Sequence, residues 1–258
     1  MTGSGEQPDD ETRRQELGAA LDAVRDRIQR ACRGAGRDAG ALTLVTVTKF
    51  FPVTDVAHLL RLGVREIAEN KDQEASAKAA ELAELLTPEA RGELTWHFVG
   101  QLQTNKARSV ARYADVVQSV DRPKLVRALD RAAGAAIEAG ERTTYLGVTV
   151  QVDLEEGEHA GRGGVLPDEA AGLADLVAES AHLDLLGVMA VAPADLDPEG
   201  TRAAFDRVVE IGQRIATTHP GATWRSMGMS GDLEQAIAAG ATHLRVGSAI
   251  LGTRPTPR

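Results

Sequence analysis

The chain has 258 residues, 43% of them hydrophobic but only 3% aromatic, and a formal charge of −9. An acidic chain without a Lys/Arg cluster interleaved with aromatics excludes nucleic acid and an anionic membrane surface as partners. A single cysteine, Cys32, excludes an internal disulfide, a cysteine zinc cage and a redox pair, and suits a reducing cytoplasm.

The opening "MTGSGEQPDD" (1–10) carries no apolar segment, so a disordered tail is expected there and a signal peptide is not. Residues 11–258 then read as one domain, since no linker rich in Pro, Gly or Ser divides them, and no stretch is apolar for long enough to span a bilayer. Leu17, Leu21, Val24 and Ile28 recur at helical spacing until Gly34 and Gly36 stop the pattern, which predicts an amphipathic helix ahead of the first strand.

Eight short apolar runs follow: 42–48, 64–68, 95–100, 115–120, 145–153, 183–191, 224–228 and 243–247. Helical patterns separate them at 54–62, 71–86, 103–112, 122–139, 167–180, 198–218 and 230–239. Eight strands alternating with helices predict a (β/α)8 TIM barrel with an extra N-terminal helix. An open doubly wound sheet shares the alternation, but no Gly-x-Gly-x-x-Gly follows the first strand.

In such a barrel the working residues sit where strands end. That rule selects Lys49, Glu69, Asn70, His97, Gln101, Ser119, Asp153, Met189, Met227 to Ser230 and Arg245 to Ser248. Lys49 reads either as a solvated lysine opening a loop or, with Phe50, Phe51 and Pro52 behind it, as a partly desolvated amine able to attack a carbonyl. Gly228-Met229-Ser230-Gly231 and Gly247-Ser248 read either as ordinary turns and caps or as the phosphate cup that follows strands 7 and 8, with "SAILG" as the short extra helix. Asp232 argues against the cup if its carboxylate faces inward. Arg245 shares a strand face with Gly247 and needs a partner, either a buried acid or a ligand lone pair. An aldehyde for the lysine, a phosphate for the cup and a ring nitrogen for the arginine together describe pyridoxal 5′-phosphate. No metal is expected.

The segments "VTVTK", "AEN" (68–70), "WHFVGQLQTNK" (96–106), "MGMSGD" (227–232) and "RVGSAILGTR" (245–254) resemble the pyridoxal phosphate homeostasis proteins, also called proline synthetase co-transcribed homologues. These are related to the N-terminal barrel of alanine racemase, the fold type III arrangement. The resemblance implies a Schiff base at Lys49, phosphate contacts from Ser230, Gly247 and Ser248, Arg245 opposite the pyridine nitrogen, and Asn70, His97 and Met227 lining the pocket. Two departures, Ala68 where the family usually has Gly and Lys49-Phe50-Phe51-Pro52 at the lysine turn, remove no contact group.

An arginine opposite the ring nitrogen keeps its proton and leaves the cofactor a poor electron sink. Racemisation by the alanine racemase route also needs a tyrosine from a second domain. Tyr113 and Tyr145 are placed at the amino ends of strands, and the chain stops soon after "LG" (251–252). The expectation is therefore a monomeric cytoplasmic protein, not an enzyme, that buffers pyridoxal phosphate and delivers it to apoenzymes. The alternatives are a barrel-only racemase or decarboxylase and, further off, a Schiff-base aldolase. The loop 155–165, with His159 and Arg162, reads as a surface loop or as a cover for the cofactor.

Overall fold

The computed structural model describes residues 10–155 and 163–253. Its eight strands are β1 (Thr43–Val47), β2 (Glu66–Glu69), β3 (Thr95–Phe98), β4 (Val116–Val120), β5 (Leu146–Val152), β6 (Leu183–Ala190), β7 (Trp224–Ser226) and β8 (His243–Val246). All pair in parallel and in sequence order, and β8 returns to β1 to close the barrel. The helices are α1 (Asp10–Gly34), α2 (Val53–Arg61), α3 (Asp72–Leu85), α4 (Pro88–Gly92), α5 (Ala107–Tyr113), α6 (Pro123–Glu138), α7 (Ala170–Ala178), α8 (Pro198–Thr218), α9 (Leu233–Ala239) and α10 (Ser248–Leu251). Parallel strands covered by helices must be apolar on their outer face, and Val, Leu, Ile and Ala supply that layer here, with the large rings Phe98 and Phe205 fully buried.

All eight expected strands are present, and most end a residue or two inside their apolar runs. The pattern at 71–86 yields α3, which stops where Leu86 turns extended; Thr87, also extended, then caps a further short helix, α4, beyond the pattern by accepting from the Ala90 amide at 3.3 Å. The pattern at 230–239 starts late, at Leu233, because Met229 to Asp232 form a side-chain-closed turn.

Helix α1 buries Leu17, Leu21, Val24, Ile28 and Cys32, a stripe at i, i+4, i+7, i+11 and i+15. Its neighbours are α2, α9 and α10, so it seals the seam where the last strand meets the first. Arginines stitch that seam. Arg13 binds both carboxylate oxygens of Asp55 and the Leu251 carbonyl, and Arg27 grips Glu234 and the Ser230 carbonyl. Arg37, just past α1, reaches the carbonyls of Ile237 and Ala241. No helix among the described residues is long and apolar enough to cross a membrane.

Candidate functional site

Lys49 leaves the carboxyl end of β1 on a backbone held from several directions. The Thr48 amide donates to the Ala68 carbonyl at 2.9 Å, the Thr48 hydroxyl donates to Glu69 Oε1 at 2.6 Å, and Lys78 Nζ of α3 donates to the Thr48 carbonyl at 3.0 Å. Lys78 also pairs with Glu69 Oε1, and both side chains are buried. Glu69 therefore faces the helical layer, opposite Phe98 in the register, and anchors the turn that presents Lys49. Phe50 is the only non-glycine with positive φ among the described residues, at 72°. An aromatic residue stores of order 1–3 kcal/mol of strain in that region. The turn holds its ring centroid 5.7 Å from Lys49 Nζ and 5.4 Å from Lys71 Nζ, where two cations share one π face or its reverse.

Asn70 follows β2 and is half-buried, and its Oδ1 is enclosed without a hydrogen-bond partner among the described residues. Beside it the loop after β3 must be glycine at 100, since a Cβ there would lie 1.9 Å from the Asn70 carbonyl oxygen. The Ser119 hydroxyl fixes the same loop by donating to the Gly100 carbonyl at 2.5 Å.

On the other side of the mouth, Gly228 turns the chain at φ +90° against Ala236, whose Cβ would be 2.5 Å from any side chain placed there. Asp232 Oδ1 accepts from the Met229 amide at 2.5 Å, so this carboxylate closes its own turn. That turn brings the Ser230 hydroxyl within 3.2 Å of the Ser248 hydroxyl and 3.4 Å of the Ala249 amide in the first turn of α10. Gly247 completes the cup with a backbone so close to β1 that a Cβ would lie 3.0 Å from the Val47 carbonyl. Hydroxyls and free amides gathered at one helix start form a nest for an anion. Arg27 holds the outside of the cup through the Ser230 carbonyl at 2.6 Å. Because its pair with Glu234 is about a third exposed, Arg27→Met is expected to lower stability by no more than about 1 kcal/mol in urea denaturation.

Arg245 lies in the barrel interior, 4% exposed, and no carboxylate among the described residues pairs with it. Nη1 donates to Ser226 Oγ at 2.7 Å and Nη2 to the Ala190 carbonyl at 2.8 Å. Burial pulls its pKa down to about 10, against a weaker through-space pull from Asp232. The contacts continue inward. Ser226 Oγ is 2.7 Å from Gln118 Oε1, Gln118 Nε2 is 2.8 Å from His97 Nδ1, and His97 Nε2 is 2.6 Å from Glu66 Oε2. Next to them His243 stacks on Trp224 at 3.8 Å between centroids, and burial drives its pKa down to about 3, so it is neutral.

The structure thus brings Ser230, Gly247 and Ser248 into one cup, with Arg245 on the strand leading to it and Lys49 and Asn70 on the next two strand ends. Met227 is wholly buried beneath the cup, and its amide donates to the His243 carbonyl at 3.1 Å. His97 is fully enclosed with both ring nitrogens engaged, so it reaches the site through Gln118, Ser226 and Arg245. Tyr113 ends α5, half-buried and edge-on to Trp96, and Tyr145 directly precedes β5; both lie at amino ends of strands. His159 and Arg162 fall outside the described residues. Sequence reasoning missed Lys78, Gln118 and Ser226. Gln118 had one signal, an amide in the otherwise apolar and hydroxyl run "VVQSV".

The alanine racemase N-terminal domain model matches residues 20–255 of the chain. The crystal structure of a protein from Bifidobacterium adolescentis is similar, with a TM-score of 0.84 at 29% identity over 96% of this chain and 100% of that one. The pyridoxal phosphate homeostasis protein of Mycobacterium tuberculosis is 45% identical over 246 residues, 94% of either chain. The chain belongs to the pyridoxal phosphate homeostasis protein family. Another barrel of this kind, PipY of Synechococcus elongatus, has been solved with PLP bound; it is 30% identical, with a TM-score of 0.75 over 92% of this chain and 100% of its own. The match to both solved chains runs over their full length, so it takes in the whole barrel.

Proposed function

We propose that this chain binds pyridoxal 5′-phosphate reversibly, as a Schiff base to Lys49, and buffers or delivers it as a monomeric, non-catalytic barrel of the cytoplasm. The observation that carries the reading is Arg245, a buried cation with no carboxylate partner among the described residues, set between a hydroxyl-lined cup and the lysine strand. The residues present fit the cofactor. Ser230, Ser248 and the backbone at Gly247 suit a phosphate, the unpartnered Asn70 Oδ1 accepts a donor, and Arg245 offers an N–H to a ring nitrogen. Met227 and His97 support this pocket from beneath and within. The name of the Mycobacterium tuberculosis relative and the PLP-bound PipY structure support the same cofactor.

When bound, the group supplies an aldehyde for the amine and a ring that withdraws electrons strongly only if its nitrogen is protonated. Arg245 keeps its own proton, since even its lowered pKa of about 10 lies above neutrality. The protein's residues therefore hold the cofactor without activating it, and the two tyrosines sit away from the mouth. Recipient apoenzymes are the corresponding partners.

The test is the visible absorption spectrum of purified protein with pyridoxal phosphate, followed by borohydride reduction and mass mapping. A band near the colour of a lysine imine and a reduced adduct at Lys49 are expected. No band, or an adduct at a different lysine, overturns the reading. Turnover of an amino acid by the loaded protein would overturn its non-catalytic part.

A further inference from the structure

We propose that Gln118, Ser226, His97 and Glu66 form a positioning relay that sets Arg245 for a heteroaromatic ring nitrogen, so that the protein selects its ligand partly from the far end of the barrel. This rests on the reading of Arg245 as the partner of a ring nitrogen.

The argument begins at the two ends of the chain of contacts. An arginine can only donate hydrogen bonds and an ionised carboxylate can only accept them. Arg245 donates to Ser226 Oγ, which leaves the serine proton to go to Gln118 Oε1. With Oε1 accepting, Gln118 turns its Nε2 to His97 Nδ1, and a neutral imidazole accepting at Nδ1 carries its proton on Nε2 and gives it to Glu66. Every donor points the same way, from the guanidinium to the carboxylate, and every internal atom finds its complement. Partners belong to five strands, β2, β3, β4, β7 and β8, and the step from β4 to β7 joins strands that are not neighbours in the sheet. It therefore crosses the interior, and four of the five residues are below one-tenth exposed. Glu66, the first residue of β2, is the wet end, its side chain 28% exposed.

Buried polar chains of this kind carry the desolvation of every member and are retained where orientation matters. Here the oriented group is Arg245. Its Nη1 and Nη2 are anchored to Ser226 and Ala190, which fixes the guanidinium plane and leaves its direction toward the mouth determined before a ligand arrives. A flipped Gln118 amide would put an N–H against Ser226 and an oxygen against the lone pair of His97, and the anchor would lose its order.

The experiment compares dissociation constants of the full chain for pyridoxal phosphate and for the analogue in which the ring nitrogen is replaced by C–H. Wild-type protein is expected to prefer the natural cofactor by about tenfold or more, the worth of a hydrogen bond to a charged group. Gln118→Met and Ser226→Ala are expected to erase most of that preference by weakening the nitrogen ligand alone. Glu66→Leu should do the same from the opposite end of the barrel, whereas Glu66→Gln, which keeps an acceptor for His97, should preserve it. An unchanged preference in both Gln118→Met and Ser226→Ala, or an equal loss for both ligands, overturns the relay. If Gln118→Met does not fold, Ser226→Ala decides, since it removes one oxygen. Wild-type protein that binds both ligands alike overturns the assignment of Arg245 to the nitrogen and the relay with it. Wild-type protein that binds neither overturns the proposed function itself.

Discussion

Lys78→Met is expected to destabilise the barrel by about 3–5 kcal/mol, one of the larger losses a single side chain can cause. The pair it breaks is buried on both sides, with Glu69 at 0% and Lys78 at 8% exposure, and Glu69 Oε2 already lacks a partner among the described residues. Removing the ammonium leaves a carboxylate facing the helical layer with the Thr48 hydroxyl as its remaining donor. It also frees the Thr48 carbonyl, one residue before Lys49. Guanidinium denaturation measures the loss. The double variant Lys78→Met/Glu69→Leu should recover most of it, because a charge no longer stands unpaired; a double variant as unstable as the sum of its parts would remove the ion pair from the explanation. The same Lys78→Met protein should also trap pyridoxal phosphate more slowly, since the turn presenting the amine has lost an anchor.

Arg245→Met is expected to move stability and binding in opposite directions. Without ligand, the arginine is a buried cation held by a hydroxyl and a carbonyl, and replacing it with an apolar chain of similar length should stabilise the barrel by about 1–2 kcal/mol. Affinity for pyridoxal phosphate should fall by roughly 10- to 100-fold, and the loss should vanish for the analogue without a ring nitrogen. The pH dependence carries a sign. Folding lowers the pKa of this base from its ordinary value to about 10, so between the two the unfolded chain holds a proton that the folded chain has released. Wild-type stability therefore rises with pH across that window, and the advantage of the methionine variant, complete below about pH 10, shrinks there. Urea midpoints of both proteins at pH 8 and near pH 11 would show the narrowing. A variant less stable than wild type at pH 8 would mean that the two hydrogen bonds outweigh desolvation.

These two residues also mark what could be read from the chain alone. Arg245 was legible because it sits in an eight-run alternation whose strand ends are countable, two residues before a glycine. Lys49, Ser230 and Ser248 were legible on the same ground. Lys78 was not, because on α3 it is one polar residue among several, and its partner Glu69 gains meaning only when β2 and α3 are packed. The strand-end rule chose Glu69 by height along the barrel and had no means of telling that it faces the helices while its neighbour Ala68 lies beside its register partner His97 on the interior face. In β4 the rule chose Ser119, the residue nearer the mouth, over Gln118, whose partner Ser226 lies 108 positions away. Helix boundaries slipped for a related reason. Turns such as Met229 to Asp232 are closed by a side chain, and apolar periodicity does not register a carboxylate bound to an amide.

The seam sealed by α1 sets a timetable for the protein's birth on the ribosome. The amine at position 49 is made early, but the cup that would receive a phosphate is finished last and is gripped by an arginine translated 203 positions before the serine whose carbonyl it holds. Contacts of such span close late in folding because the intervening chain must first be ordered. A nascent or truncated chain thus carries Lys49 but no enclosure, and the proposed pocket is completed only when the last strand docks against the first.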